Sequence, residues 1–391
     1  MRLSSDDLTM FFEPAHAELA ERLRAAMPAL EAVEVHGTYA TETERDRAAA
    51  TALAMAGLFE LVVPTDLGGS AAKLDTRALC LAREMLGYVS PRADSIFAVQ
   101  GLGTHALALA GNPDHRTQLQ AFARGANIAA FALTEPEAGS DVAAIATRAA
   151  PAPDGGYRLD GDKLFISNLG IADHATVVAT TDPALGTAGL TAFWVPLDTP
   201  GVKVVPMTAT APHPIGALEL RGAIVPASAR IGEVGQGMKL ALQTLDAFRV
   251  SVGAAAVGMA RRAFDEALGF VARRKQFGKA LAEQPLIQAH LADMIVDLDS
   301  ARLLVLRAAH KKDTTGARVT TEVSIAKLGA TEAASRVIDR AVQLFGGRGV
   351  MAGAVVEHLY RAIRPLRIYE GTSEIQRTII GRALAQGATK P

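Results

Sequence analysis

The sequence lacks the residues that several common classes of site require. Cys80 is the only cysteine in 391 residues. This excludes an intrachain disulfide and any zinc or iron-sulfur centre built from the cysteines of one chain, and it fits a reducing compartment. The nine histidines form no i, i+4 pair of the metal-binding type. Forty Lys and Arg against 41 Asp and Glu give a formal charge of -1. We therefore predict no metal site and no nucleic-acid partner.

Targeting signals and nucleotide-binding loops are also missing. Residues 1–12 are polar and acidic rather than a basic start followed by an apolar run, and no uninterrupted apolar stretch reaches about 18 residues. Gly101, Gly103 and Ala106 match a loose dinucleotide-binding fingerprint, but they lie in a helical pattern, and the acidic residue expected about 20 positions later is absent. We reject that fingerprint and predict a cytoplasmic, bacterial protein without a membrane segment.

The sequence does contain 49% hydrophobic residues, arranged in three successive patterns. Helical spacing from Pro14 to Gly125 gives way to short β-branched runs from Phe131 to Ile231, with Asp160-Gly161 predicted as a tight hairpin turn. Helical spacing then returns in long segments typical of an antiparallel bundle, one of which carries small residues that would let another backbone approach. The predicted fold is multidomain α+β: an N-terminal helical domain (1–128), a middle β-barrel or β-sandwich domain (129–234) and a C-terminal four-helix bundle (235–391).

A single carboxylate occupies a distinctive turn near the C-terminal end. Glu370 lies between Tyr369 and Gly371, and Thr372 can cap a following helix whose apolar face includes Ile375. Contact with Tyr369 and other apolar surface would partly desolvate the carboxylate, raise its pKa and make it a stronger base. The segment alone favours the other interpretation, a solvated glutamate in a surface turn, because functional carboxylates with a shifted pKa are a minority of all carboxylates.

A run between the helical and strand patterns could bind a planar, phosphate-bearing ligand. It begins at Phe131 and offers the backbone amides of Leu133 and Thr134 to the edge of a heterocycle. Gly139 and Ser140 could approach a phosphate or carbonyl closely. The alternative is an ordinary loop that links two domains.

Three further segments have similar potential. Phe165 and Ser167 present an aromatic face and a hydroxyl on one predicted strand, although such a pattern alone more often reflects sheet packing. Arg274 and Phe277 combine cations with an aromatic ring at a helix end, which could bind a diphosphate and stack an adenine or could simply be solvated. A glycine-rich helix end, which could be a plain C-cap, contains Gln343, Gly346 and Gly347.

In their order and spacing, these segments and the Glu370 turn resemble the acyl-CoA dehydrogenase family over essentially the whole chain. The resemblance implies FAD bound between the β and C-terminal domains, a homotetramer or dimer, an acyl-CoA substrate, and an electron-transfer flavoprotein or similar acceptor. It implies that Glu370 removes the α proton of a thioester while a hydride passes to flavin N5, giving a trans-2-enoyl-CoA. Other chemistry on the same scaffold, as in an acyl-CoA oxidase or desulfinase, and a non-catalytic binding or assembly protein are the alternatives.

The resemblance also implies roles for individual residues at the cofactor. Leu133 and Thr134 match positions at the flavin edge, Phe165 stands where the family usually has a tryptophan, and Ser167 stands where it has a threonine near N5. Arg274 and Phe277 match residues that a neighbouring subunit offers to FAD. The other implied cofactor positions are Phe131, Gly139, Ser140, Gln343, Gly346, Gly347, Thr372 and Glu374.

Substrate positions follow from the same resemblance. Arg249 matches a residue that stabilises the region of the base, and Asp246 one that faces the CoA chain. The remaining substrate positions are Ser140, Tyr369 and Gly371. Phe248 occupies the alternative base position of some family members, which leaves Glu370 as the one candidate base. The segment 212–215 has no role that we can assign.

Overall fold

The computed structural model describes residues 1–35, 37–211, 213–315 and 319–388. Their coordinates form two compact units. The helical unit comprises Met1–His36, Thr76–Asp94 and Arg249–Pro391, and the sheet unit comprises Gly37–Asp75 and Ser95–Phe248. The two units alternate along the chain, and the predicted domain boundaries after residues 128 and 234 stay predictions.

The first third of the chain is helical, as its apolar spacing predicts. Side-chain caps begin two of its helices: Thr41 Oγ1 accepts from the Glu44 amide at 3.2 Å, and Asn112 Oδ1 accepts from the His115 amide at 3.0 Å. The helices are α1 (Pro14–Ala32), α2 (Glu42–Met55), α3 (Thr76–Val89), α4 (Pro91–Ala110) and α5 (Pro113–Ala123).

Helix α4 contains the glycines of the rejected dinucleotide fingerprint. A Cβ atom on Gly101 would lie 2.4 Å from Cε1 of Phe248, and one on Gly103 would lie 2.7 Å from the Ala129 Cβ. Because no side chain fits at these points, the glycines serve close packing within the sheet unit.

One eight-stranded sheet forms the middle third and confirms the predicted β domain. Its strands are β1 (Ala129–Ala132), β2 (Arg148–Pro151), β3 (Tyr157–Ser167), β4 (His174–Thr180), β5 (Leu190–Pro196), β6 (Val202–Pro206), β7 (Ile215–Val225) and β8 (Arg230–Ile231). The order is β6-β7-β3-β2-β4-β5-β8, with β1 parallel to β4. Inward-facing side chains such as Leu159, Phe193 and Leu218 are fully buried and build its core.

The predicted hairpin turn at Asp160-Gly161 is wrong. Both residues lie inside β3, where Gly161 pairs with Leu220 of β7 next to a shift in register. The connection from β2 to β3 instead runs through Asp154 and Gly155, and Gly155 has a φ of 83°. Two Asp-Gly pairs occur close together in the sequence, and the local turn signal alone does not distinguish them.

Long helices return after the sheet, as predicted. They are α6 (Gly237–Arg273), α7 (Pro285–Thr315), α8 (Thr320–Phe345), α9 (Val355–Ile363) and α10 (Ser373–Ala388), and a short hairpin of β9 (Lys275–Gln276) and β10 (Lys279–Ala280) follows α6. Helix α6 is long and apolar enough to cross a membrane, but 72% of its most apolar window is buried in the protein, as in the core helix of a folded domain.

The small residues of α6 allow the close backbone approach that the sequence predicts. A Cβ atom on Gly258 would lie 2.0 Å from the carbonyl oxygen of Glu84 in α3. In return, a Cβ atom on Gly87 would lie 2.3 Å from the carbonyl oxygen of Ala255. Helices α3 and α6 therefore cross backbone to backbone within the helical unit.

Candidate active site

Glu370 lies in a left-handed turn just before α10. Its φ is 52° and that of Gly371 is 91°. A left-handed conformation costs a non-glycine residue about 1–2 kcal/mol, so neighbouring groups must hold it. Thr372 Oγ1 accepts from the Ile375 amide at 3.3 Å, which confirms the predicted cap of α10.

Three side chains hold the two carbonyl groups of this turn. Arg249 Nε donates to the Glu370 carbonyl at 2.9 Å, and Lys327 Nζ donates to the Gly371 carbonyl at 2.8 Å. Gln376 Nε2 donates to both, at 3.3 and 3.0 Å respectively. Gln376 and Lys327 are completely buried, so these two of the groups that fix the turn lie in the protein interior.

The Glu370 carboxylate lies among three cations. Its Oε2 is buried and has no hydrogen-bond partner among the described residues. Burial raises the pKa of Glu370, and the charges of Arg83, Arg249 and Lys327 offset that rise only in part. Burial also lowers the pKa of Lys327 to about 8, against the opposing effect of Glu370. The raised pKa makes the carboxylate a stronger base, and its Oε2 has no hydrogen-bond partner among the described residues.

A buried ion pair stands behind this cluster. Arg83 donates through Nε and Nη2 to the two carboxylate oxygens of Asp94, both at 2.8 Å, and through Nη1 to Ser251 Oγ at 3.1 Å. Arg83 and Asp94 are each 1% exposed. Burial alone would lower the pKa of Arg83, but the charge and hydrogen bonds of Asp94 outweigh it, so the guanidinium stays charged.

In the sheet unit, strand β3 fixes the loop that follows β1. Lys163 Nζ donates to the Leu133 carbonyl at 3.1 Å, and the Leu164 amide donates to the Thr134 carbonyl at 2.9 Å. In a trans peptide the carbonyl and the next amide point in opposite directions. The Thr134 amide is therefore directed away from Lys163.

Lys163 forms a second buried ion pair with Glu135. Its Nζ lies 2.7 Å from Glu135 Oε1 with no exposed surface, and burial lowers the pKa of Lys163 to about 8. Burial would raise the pKa of Glu135, but Lys163 and the amides of Ala146 and Thr147, at 2.7 and 3.0 Å, lower it on balance. This pair ties the loop to the sheet.

Strand β3 also carries the two other residues predicted for this unit. Phe165 has a φ of 57° and leaves 59% of its surface exposed, beside an irregularity in the pairing of β3 with β7. Ser167 ends the strand, and its Oγ lies 3.4 Å from Nε2 of His213. An apolar ring that is both strained and exposed indicates a surface kept for a ligand.

The predicted segments at the ends of α6 and α8 meet in the helical unit. Phe270 and Phe345 stack with ring centroids 4.3 Å apart, which brings the two helix ends together. Phe277 projects from the hairpin after α6 with 96% of its surface exposed. The glycines after α8 are open: in the part of the chain that the structure describes, no atom beyond the chain neighbours lies within 4 Å of a Cβ on Gly346 or Gly347.

Known proteins of one family match this chain over most of its length. Family models for the N-terminal, middle and C-terminal domains of acyl-CoA dehydrogenase match residues 10–126, 130–222 and 235–385. The chain is 37% identical to the probable acyl-CoA dehydrogenase FadE25 of Mycobacterium tuberculosis, over 93% of this chain and 95% of that protein. The chain belongs to the acyl-CoA dehydrogenase family.

Two further relatives show the range of this family of oxidoreductases. Butyryl-CoA dehydrogenase from Megasphaera elsdenii has a structure similar to this chain, with a TM-score of 0.88, 31% identity, and coverage of 96% of this chain and 99% of that one. A 3-(aryl)acrylate reductase of Clostridium sporogenes is 35% identical over 96% of this chain and all of that protein.

The structure groups the predicted acyl-CoA dehydrogenase positions in three places. Around Glu370 in the helical unit are Arg249, Tyr369, Gly371, Thr372 and Glu374. Around β3 in the sheet unit are Phe131, Leu133, Thr134, Phe165 and Ser167, while Gly139 and Ser140 are exposed on the same loop. At the joined helix ends are Arg274, Phe277, Gln343, Gly346 and Gly347. Asp246 is half-buried on α6 and belongs to the sheet unit.

The sequence interpretation missed the charged residues that hold these groups. Lys327 lies on the apolar face of α8 with Val323, Ala326 and Ala330, and Lys163 occupies an inward-facing position of β3. A lone lysine at a core position is the signal that could have been used, because an unpaired buried charge is too costly to occur by chance. Arg83, Asp94 and Gln376 carried no comparable local pattern.

Proposed function

We propose that this protein binds FAD and oxidises an acyl-CoA thioester between its α and β carbons, giving a trans-2-enoyl-CoA. The observation that carries the proposal is the half-buried Glu370, whose Oε2 is buried without a partner among the described residues and whose pKa is raised by desolvation. A carboxylate in this state suits proton abstraction from a weak carbon acid.

The donor set supports FAD as the cofactor. Phe165 offers an exposed ring to a flat heterocycle, and the fixed Leu133 and Thr134 carbonyls leave the Thr134 amide facing away from the sheet core. Apart from its chain neighbours, none of the described residues has an atom within 4 Å of a Cβ built on Gly139, so phosphate oxygens could approach its backbone. These groups fit the edge, face and phosphates of a flavin dinucleotide.

In the proposed reaction Glu370 Oε2 takes the α proton of the thioester. When bound, FAD accepts the hydride that leaves the β carbon. The Glu370 amide donates to no acceptor among the described residues, so it can stabilise the thioester carbonyl as negative charge develops there. Arg249, Lys327 and Gln376 bind the carbonyls of the turn and so keep the Glu370 carboxylate and the Glu370 amide in place.

The reverse reaction is a second candidate. The similarity to an arylacrylate reductase favours it, and the raised pKa of Glu370 would let the protonated acid return a proton to the α carbon of a conjugated substrate. An electron-transfer flavoprotein or similar protein is the proposed redox partner in either direction. The homotetramer and the cytoplasmic location stay predictions, as does the acyl group.

Anaerobic mixing with acyl-CoA thioesters tests the function. Purified protein should be yellow, and thioesters of straight, branched and aryl-substituted acids should bleach its visible band to different extents. If the photoreduced protein instead regains colour only with enoyl-CoA thioesters, the reductase direction holds. Protein without a flavin spectrum, or an acyl-CoA oxidase-like release of peroxide on reoxidation in air, would contradict the proposal.

A further inference from the structure

Residues 213–215 belong to the segment 212–215, for which the sequence indicates no role, and they meet the end of strand β3. Pro212 lies outside the described residues. The Asn168 amide donates to the Pro214 carbonyl at 2.8 Å, and Ser167 pairs with Ile215 in the sheet. These backbone contacts set His213 beside Ser167, with Nε2 and Oγ 3.4 Å apart.

The side chain next to Ser167 is itself held firmly. Asn168 is completely buried in a left-handed conformation, with a φ of 69°. Its Nδ2 donates to the carbonyls of Ala129 and Ile96, at 3.0 and 3.3 Å. Backbone pairing with residues 214–215 and the Asn168 side chain therefore fix the end of strand β3. The Ser167 hydroxyl can adjust only by rotation.

The surroundings of His213 determine which of its ring nitrogens carries the hydrogen. Nδ1 lies 2.9 Å from the Ala211 carbonyl oxygen. Because a carbonyl oxygen only accepts, Nδ1 must be the donor, and in the neutral imidazole Nε2 is then an acceptor. In the 3.4 Å contact between Ser167 Oγ and His213 Nε2, the Ser167 hydroxyl is thus the donor.

A serine hydroxyl has one hydrogen, so donating it to His213 leaves only oxygen lone pairs for any other partner. Ser167 is the residue for which the family resemblance implies a position near flavin N5. The N5 atom of oxidised flavin is an acceptor, whereas that of reduced flavin bears a hydrogen and donates. An accepting Ser167 therefore complements the reduced cofactor and not the oxidised one.

We propose that His213 is a positioning residue that turns the Ser167 hydroxyl hydrogen away from the flavin and so favours the reduced cofactor. The proposal rests on the proposed function, since it requires bound FAD. It assigns a role to His213 and predicts that the reduction potential of the flavin depends on an imidazole that acts through the Ser167 hydroxyl.

The test is the midpoint potential of the bound flavin, measured by spectroelectrochemistry at about pH 8.5, where an ordinary imidazole is neutral. His213→Phe keeps a ring but removes the acceptor, so Ser167 becomes free to donate to oxidised N5. One hydrogen bond of ordinary strength changes the equilibrium about tenfold, which is about 30 mV to more negative potential for a two-electron couple. His213→Gln, with its carbonyl acceptor, should restore much of the difference.

The double-mutant cycle with Ser167→Ala separates positioning from a structural effect. In the Ser167→Ala background, His213→Phe should leave the potential unchanged. An equal shift in both backgrounds, or no shift in either, would overturn the proposal. Loss of flavin by His213→Phe while Ser167→Ala retains it would also overturn it, because a residue acting through Ser167 cannot cost more than removing the hydroxyl. A wild-type protein without flavin would instead mean that the proposed function fails.

Discussion

Lys327 Nζ donates to the carbonyl oxygen of Gly371 at 2.8 Å while the lysine side chain is completely buried. The contact places a cation directly behind the turn that carries Glu370, and this cation lowers the pKa of Glu370. The chemistry assigned to Glu370 therefore depends on a residue in the interior of α8, more than 40 positions earlier in the chain.

Replacing Lys327 by Met should raise the pKa of Glu370 further, because one of three opposing cations is removed. Proton abstraction needs the ionised carboxylate, so the rate of flavin bleaching rises with pH through the Glu370 pKa. We expect the acid limb of that profile to move up by about one pH unit. Lys327→Arg, which keeps the charge, should move it less, and the exposed Lys203→Met not at all. Coincident profiles for Lys327→Met and the wild type would contradict this account.

The same lysine should give folding stability a characteristic pH dependence. Its pKa is about 8 in the folded protein and about 10.4 when unfolded. Between these values the unfolded state binds more protons, so the stability of the wild type relative to Lys327→Met should rise with pH, by at most about 1.4 kcal/mol per unit. Urea unfolding of both proteins at several pH values measures this slope. A relative stability that falls over this range would show that the pKa of Lys327 is not lowered.

Replacing one partner of the Glu135–Lys163 ion pair should lower the free energy of unfolding more than replacing both partners. Lys163→Met leaves the Glu135 carboxylate buried without its cation and frees the Leu133 carbonyl, so the free energy of unfolding should fall by about 3–5 kcal/mol. The double substitution Glu135→Gln, Lys163→Met should recover part of that loss. Denaturant unfolding of Lys163→Met, Glu135→Gln and the double variant checks the cycle. An additive result would mean that the two side chains do not interact as the structure indicates.

The crossing of α3 and α6 predicts a difference between two glycine substitutions. Gly258→Ala would place a methyl group 2.0 Å from the Glu84 carbonyl oxygen, so we expect a loss of about 1–3 kcal/mol or more. Gly381 lies on α10, where an added Cβ would meet no non-neighbouring atom of the described residues within 4 Å, and Gly381→Ala should be neutral or stabilising by about 0.5–1 kcal/mol. Thermal melts compare them, and equal Tm values would contradict the close crossing.

The sequence predicted the element types well and the supporting contacts poorly. Apolar periodicity extends over long stretches, which is why α6, α7 and α8 could be predicted from it. The Asp160-Gly161 turn failed because turn chemistry is local, whereas the pairing of β3 with β7 depends on residues some 60 positions away.

The site shows the same division. Glu370, Ser167 and Arg274 could be predicted as site residues from the resemblance, since each belongs to a contiguous motif, and these roles stay predictions. Lys327 and His213 could not, because their partners Gly371 and Ser167 are adjacent only in the folded chain. A residue that acts through such a long-range contact leaves no pattern in its own neighbourhood of the sequence.

The role of Glu370 as the α-proton base is tested most directly by anaerobic flavin bleaching of Glu370→Gln with a thioester that bleaches the wild type. The substitution keeps the shape of the side chain and removes its basicity. We predict a variant that retains FAD, can be photoreduced like the wild type, and is bleached by the thioester at least about 100-fold more slowly. Bleaching at a rate close to that of the wild type would show that the α proton is removed by another group.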